Sequence, residues 1–168
     1  MEIREQGKPR IGLARDIARK LLEKSDISNY PILIKEIANH VEGLSIDGRE
    51  FEDGLSGASL CHNGKIFIAY NKDHSFIRNR FTVAHELGHA LLGHLVILSP
   101  IDLYSKDYKE LEANQFAAEL LMPLQMLKQA VKKIKTVDQL AKAFWVSKDA
   151  MSWRVIESGI YKLLNSWS

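Results

Sequence analysis

A single cysteine, Cys61, in 168 residues excludes an intramolecular disulfide framework. A membrane-spanning helix needs roughly 18 or more consecutive apolar residues. The apolar run from Leu91 to Leu98 is far shorter and is interrupted by Gly93 and His94. The first residues, Met1-Glu2-Ile3-Arg4, lack a signal-peptide core, so a cytoplasmic location with no membrane partner is expected. An excess of one charge is missing too. The 23 basic and 21 acidic side chains leave +2, which confers no general affinity for polyanions. There is no repeat of solenoid period and no low-complexity stretch. What is present is 46% hydrophobic residues, enough for a real core in a chain of one-domain size.

Along the chain, Leu13, Ile17, Leu21 and Leu22 with Ala14 and Ala18 form a helical stripe, and Pro31 is expected to open a second helix carrying Ile34, Ile37, Ala38 and Val41. Both read as scaffold. From Leu44 to Tyr70 the pattern changes to β-formers and turns, with Asn63-Gly64 as a hairpin signal before Lys65-Ile66-Phe67-Ile68-Ala69-Tyr70. A small, mainly antiparallel sheet packed on helices follows, and the fold class is α+β. His40, His62 and His74 read as solvated loop residues. A loop from Ser99 to Tyr108 is placed to lie over a cleft, and a helix from Lys109 to Met122 stops at Pro123. Leu124 to Ile134 is amphipathic. Thr136-Val137-Asp138-Gln139 is a capping box, and Ser147 can cap a last helix ending near Ser158-Gly159. The expected division is residues 1–130 as the main domain and 131–168 as a helix-turn-helix-like tail.

The chemistry concentrates at His85-Glu86-Leu87-Gly88-His89. At about 100° per residue, positions i and i+4 lie roughly 40° apart on a helix, so His85 and His89 can share one metal ion. Glu86 can then reach a bound water as general base without being a ligand. Gly88 in a partly buried helix suggests that another chain segment approaches closely there.

Two histidines leave a catalytic zinc one protein ligand short, and the candidates are His94, Glu110, Glu112 and Glu119. On a continued helix His94 would face away from the ion, so it reads as a helix-end residue favoured by the dipole. On the downstream helix Glu110 shares a face with Ala113, Ala117, Leu120 and Leu121. Glu112, Gln115 and Glu119 group on the other side, which reads as the wet one. A carboxylate aimed inward is costly unless paired or metal-bound, which favours Glu110 as ligand, with pairing to Arg78 or Arg80 as the alternative and Glu112 as the fallback ligand. Tyr104, Tyr108 or His94 could stabilise an oxyanion if the intervening loop folds inward.

Arg80-Phe81-Thr82-Val83-Ala84-His85-Glu86-Leu87-Gly88-His89, followed by Glu110-Leu111-Glu112-Ala113-Asn114-Gln115-Phe116-Ala117-Ala118-Glu119-Leu120-Leu121-Met122-Pro123, resembles the ImmA/IrrE-type metalloendopeptidases. The likeness runs from about residue 10 to residue 160. It implies a zincin-like fold of the gluzincin kind, with a downstream Glu as third ligand, a role that falls on Glu110. It also suggests Asn114 as a supporting neighbour at i+4. Zinc is the implied cofactor, and manganese or iron also suits two histidines and a glutamate. The implied activity is site-specific cleavage of a helix-turn-helix, DNA-binding repressor that silences a mobile element or stress response. Two rivals stand beside it: a DNA-binding regulator with a structural metal, using Lys142, Lys148 and Arg154, or a toxin or activator switched on by a partner. The tail's apolar pattern favours packing or substrate docking over nucleic-acid binding, with those cations on a solvated face.

Overall fold

The computed structural model describes residues 8–52, 54–94 and 101–164. Seven α-helices and three strands follow in order: α1 (Ile11–Lys24), α2 (Ile34–Ala38), β1 (Leu44–Arg49), β2 (Gly57–His62), β3 (Lys65–Asn71), α3 (Phe76–Leu91), α4 (Tyr108–Leu121), α5 (Leu124–Ala130), α6 (Val137–Phe144) and α7 (Lys148–Glu157). A 3-10 turn, Ile160–Leu163, closes the described chain. The α+β class expected from the pattern is what is found. Among the described residues no helix is long and apolar enough to cross a membrane.

The sheet order is β1-β3-β2. Asn63 and Gly64 take positive φ, 48° and 72°, and join β2 to β3 as an antiparallel hairpin with Leu60 opposite Phe67. β1 pairs with β3 in parallel, Ile46 opposite Ile68, so the sheet is mixed. Pro31 does not open α2: it follows a cis peptide in the preceding turn, and the short helix begins three residues later at Ile34.

The layers follow from which faces are apolar. α3 lies against β2 and β3 on one side and α4 on the other, and α1 packs behind α4. Enclosed in this way, the eight residues from Thr82 to His89 are all buried. α4 is wrapped almost as completely, which corrects the expectation of a wet face. Glu112, Gln115 and Glu119 are 0%, 3% and 2% exposed. The reason is a parallel ladder from α1 and its cap: Arg10 meets Glu112, Arg15 Nε donates to Gln115 at 2.9 Å, and Arg19 Nε donates to Glu119 at 3.0 Å. α1 is therefore more than scaffold.

In the tail, Thr136 and Ser147 cap α6 and α7 as their side chains predict, accepting from the backbone N–H groups of Gln139 and Ala150. Phe144 is fully buried and stacks on Tyr30, with ring centroids 4.2 Å apart. The expectation for Arg154 is overturned. It is 1% exposed, ion-paired with Glu119, and its Nε donates to the Met122 carbonyl at 3.2 Å. Burial disfavours charge on Glu119, but Arg154 and Arg19 outweigh it and lower its pKa. Lys142 is on the surface, paired with Asp138, and Lys148 is exposed.

Removing one partner of a buried ion pair leaves an uncompensated charge, at a cost of about 3–5 kcal/mol. Arg154→Ala is expected to lose stability on that scale, whereas Lys148→Ala should stay within about 0.5 kcal/mol of the parent. Urea denaturation of both variants measures the difference, and equal small losses would contradict the buried pairing.

Candidate metal centre

Ser75 caps α3 by accepting from the Arg78 backbone N–H at 3.3 Å, and the helix then carries its two histidines inward for three more turns. Gly88 sits where α4 crosses. A Cβ there would lie 3.0 to 3.2 Å from three atoms of the Phe116 side chain, so the close approach of the two helices depends on a missing methyl group. The crossing brings Glu110, in the first turn of α4, over the histidines.

His85, His89 and Glu110 form a buried cluster that could hold a metal ion, and among the described residues no other such group of three occurs. His85 Nε2 lies 3.0 Å from His89 Nε2, and the two face Glu110 Oε2 and Oε1 at 3.3 and 3.2 Å. Neither contact to Glu110 is aligned as a hydrogen bond. Both Glu110 oxygens are buried without a hydrogen-bond partner, an expensive state that a cation between the three side chains would relieve. Burial resists ionisation of Glu110, but the two imidazoles prevail and hold its pKa at about 2. The ion pair with Arg78 or Arg80, the alternative to a ligand role, is not made: Arg78 reaches Ser56 Oγ and Arg80 the Trp145 carbonyl.

The outer nitrogens decide the tautomers. Asn114 Nδ2 donates to the Asp102 carbonyl at 2.8 Å, which turns its Oδ1 toward His85 Nδ1 at 2.9 Å. His85 must then carry its proton on Nδ1, leaving the Nε2 lone pair for an ion. Asn114, expected beside Glu110, pairs instead with His85.

His89 is set by a longer chain. Arg10 donates to Glu112 from its backbone N, Nε and Nη2 at 2.7, 3.1 and 2.8 Å. Burial disfavours the Glu112 charge, but Arg10 and His94 overcome it and bring the pKa to about 2. Glu112 Oε2 accepts from His94 Nε2 at 2.9 Å, so His94 Nδ1 is a bare lone pair facing His89 Nδ1 at 2.8 Å. His89 donates from Nδ1 and also presents a free Nε2. Glu112, the fallback candidate, lies outside the three-residue cluster and anchors a hydrogen-bonded chain that ends on His89. His94 does lie just past the helix end, but its side chain is buried and faces His89, not away from it. Gly93 takes φ 71°, ends the helix and returns His94 N to the His89 carbonyl at 2.9 Å. The signal was legible, since Gly just past a helix end is the usual reversal point; extending the helix through it put His94 on the wrong side.

Glu86 is 3% exposed and accepts from Ser59 Oγ at 2.8 Å. Burial raises its pKa, with the Ser59 bond opposing. Ser59 escapes a reading by motif because serines are common in strands; only its inward position on β2, two residues from buried Gly57, marks it. Tyr104 is 72% exposed and Tyr108 stands at the start of α4 beside Lys109; neither has a described hydrogen bond to the cluster. Ser99 and Pro100 of the expected covering loop lie outside the described residues.

A two-histidine helix crossed by a second helix bearing a buried glutamate thus forms a site that could hold a metal ion. The sequence pattern of the IrrE N-terminal-like domain (Peptidase_M78) matches residues 45–155, and the chain belongs to that family. A curated relative, "Uncharacterized immunity region protein 2" of Bacillus phage phi105, is 35% identical over 132 residues, covering 77% of this chain and 80% of that protein.

Replacing a group that orients a metal-bound histidine typically lowers metal affinity by about 10- to 100-fold. His94→Ala and Glu112→Ala should each do so although neither residue belongs to the three-residue cluster, and Glu110→Ala should lose more. Competition against a chromophoric chelator reads all three. Parent-like affinity in His94→Ala would show that the relay does not act on His89.

Proposed function

We propose that the protein is a zinc-dependent endopeptidase of the cytoplasm that cleaves a DNA-binding repressor protein. The observation that carries the peptidase reading is the convergence of His85, His89 and Glu110, all buried, beside a Glu86 carboxylate oriented by Ser59. A divalent ion held by the three side chains would polarise a scissile carbonyl and acidify a water molecule. Glu86, its proton affinity raised by burial, accepts the proton of the attacking water and passes it to the departing amine. Ser59 keeps one Glu86 oxygen engaged and leaves the other for that transfer. Manganese suits the same donor set.

Substrate placement follows the sheet. β3 is the central strand with both edges taken, so a peptide cannot add beside it. β2 is an edge, lies on α3, and carries Ser59 next to Glu86, so a peptide added along its free side would run past the general base. A cavity of about 270 Å³ lies one helical turn before Glu86 and includes Ile77, Phe81, Ile101 and Leu103; it suits an apolar side chain flanking the cleaved bond. The repressor reading draws on the ImmA/IrrE likeness and on a relative named for an immunity region. The regulator alternative is weakened because Arg154 is buried in an ion pair and unavailable to phosphate.

Glu86→Gln should retain metal and fold while cleavage of a co-expressed helix-turn-helix repressor falls by about 100-fold or more, because the amide accepts no proton. Metal content by mass spectrometry with product analysis by gel tests both halves. Undiminished cleavage by the metal-loaded variant would remove Glu86 from the mechanism.

A further inference from the structure

A second cavity, of about 430 Å³, opens on the flank of α3 opposite the first, between the start of that helix, the sheet and α2. Phe76, Asn79, Arg80 and Val83 supply the helix side at the i, i+3, i+4, i+7 spacing of one face. Ile34 and Ile46 form the apolar wall, and His74 adds a polar group at the rim. An apolar chamber with a few converging polar groups is the usual composition of a small-molecule site.

Each of these polar side chains keeps one unsatisfied atom. Six buried side-chain nitrogen or oxygen atoms among the described residues have no hydrogen-bond partner; two are the oxygens of Glu110, and three, Arg80 Nη2, Asn79 Oδ1 and His74 Nδ1, belong to residues lining this one cavity. Arg80 is only 5% exposed and forms no ion pair among the described residues. Its Nε donates to the Trp145 carbonyl at 3.1 Å, and its guanidinium carbon lies 5.8 and 5.7 Å from the centroids of Phe76 and Trp145. Ring faces attract a cation but do not neutralise it. Burial lowers the Arg80 pKa, and no acid offsets the effect. Glu119 and Arg154 show how this protein treats a buried guanidinium elsewhere: it supplies a carboxylate.

We propose that this cavity binds a small organic anion, whose carboxylate or phosphate pairs with Arg80 and whose apolar body lies against Ile34, Ile46 and Val83. A hydroxyl or amino group on the ligand would donate to Asn79 Oδ1, which an oxyanion alone cannot satisfy. The site is separate from the metal centre, and its assignment does not rest on the peptidase reading.

Calorimetric titration of the full chain with phenylacetate, mandelate and phenyl phosphate, against chloride at equal ionic strength, tests the proposal. Phenylacetate against phenyl phosphate distinguishes carboxylate from phosphate, and mandelate against phenylacetate reads the hydroxyl. The expected result is one saturable site, with affinity in the range of about 0.1–10 mM. Arg80→Met should weaken it about tenfold or more by removing the charged donor. Ile46→Trp should do the same by filling the chamber with Arg80 intact, and decides the matter if Arg80→Met does not fold. Glu110→Ala, which disables the metal centre, should leave the affinity unchanged. The proposal is overturned if none of the three anions saturates, if binding survives both cavity variants, or if it vanishes in Glu110→Ala.

Discussion

Three glutamates on one enclosed helix impose the main constraint on this molecule. Glu110, Glu112 and Glu119 project from α4 in different directions, and all three are buried. A buried carboxylate is tolerable only with a cation or a full set of donors. Glu112 and Glu119 find guanidinium groups from α1 and α7, which holds those helices in place. Glu110 finds only two neutral-capable imidazoles and keeps two unsatisfied oxygens. The scaffold is the pair of carboxylates that are matched; the site is the one that is not.

The matched pair and the site are also mechanically connected. Because Glu112 is ionised, His94 must donate to it from Nε2; because His94 Nδ1 is then an acceptor, His89 must protonate Nδ1 and free Nε2. A charge at Arg10, 49% exposed at the start of α1, thereby determines which nitrogen His89 offers. Asn114 does the same for His85 by a shorter route through the Asp102 carbonyl. α1 lies before the matched family segment, which begins at residue 45, while α6 and most of α7 lie within it. The tail belongs to the same packed body, through Phe144 on Tyr30 and Arg154 under α4.

α3 serves both flanks of the molecule. Its inner turns carry His85, Glu86 and His89, and its first turns carry the residues of the Arg80 cavity. The Arg80 bond to the Trp145 carbonyl also ties the start of α3 to the turn between α6 and α7. Trp145 adopts φ 55° there, which presents its carbonyl and ring to the same guanidinium.

Local chemistry was legible from residues alone. The i, i+4 histidines, the hairpin at Asn63-Gly64, the caps Thr136 and Ser147, and the inward face of Glu110 all depend on neighbours within a few positions, whose geometry the helix and turn periods dictate. What sequence could not decide is what covers a face from far away in the chain. The side of α4 that carries Glu112 and Glu119 looks polar and therefore wet, yet Arg10, Arg15 and Arg19, some 100 residues earlier, turn it into an interior. The same distance hides the role of Ser59, 27 positions from Glu86, and the burial of Arg154, 35 positions from Glu119. Charge pairing across such separations obeys no period, so tertiary packing alone determines which polar residues become structure and which become the site.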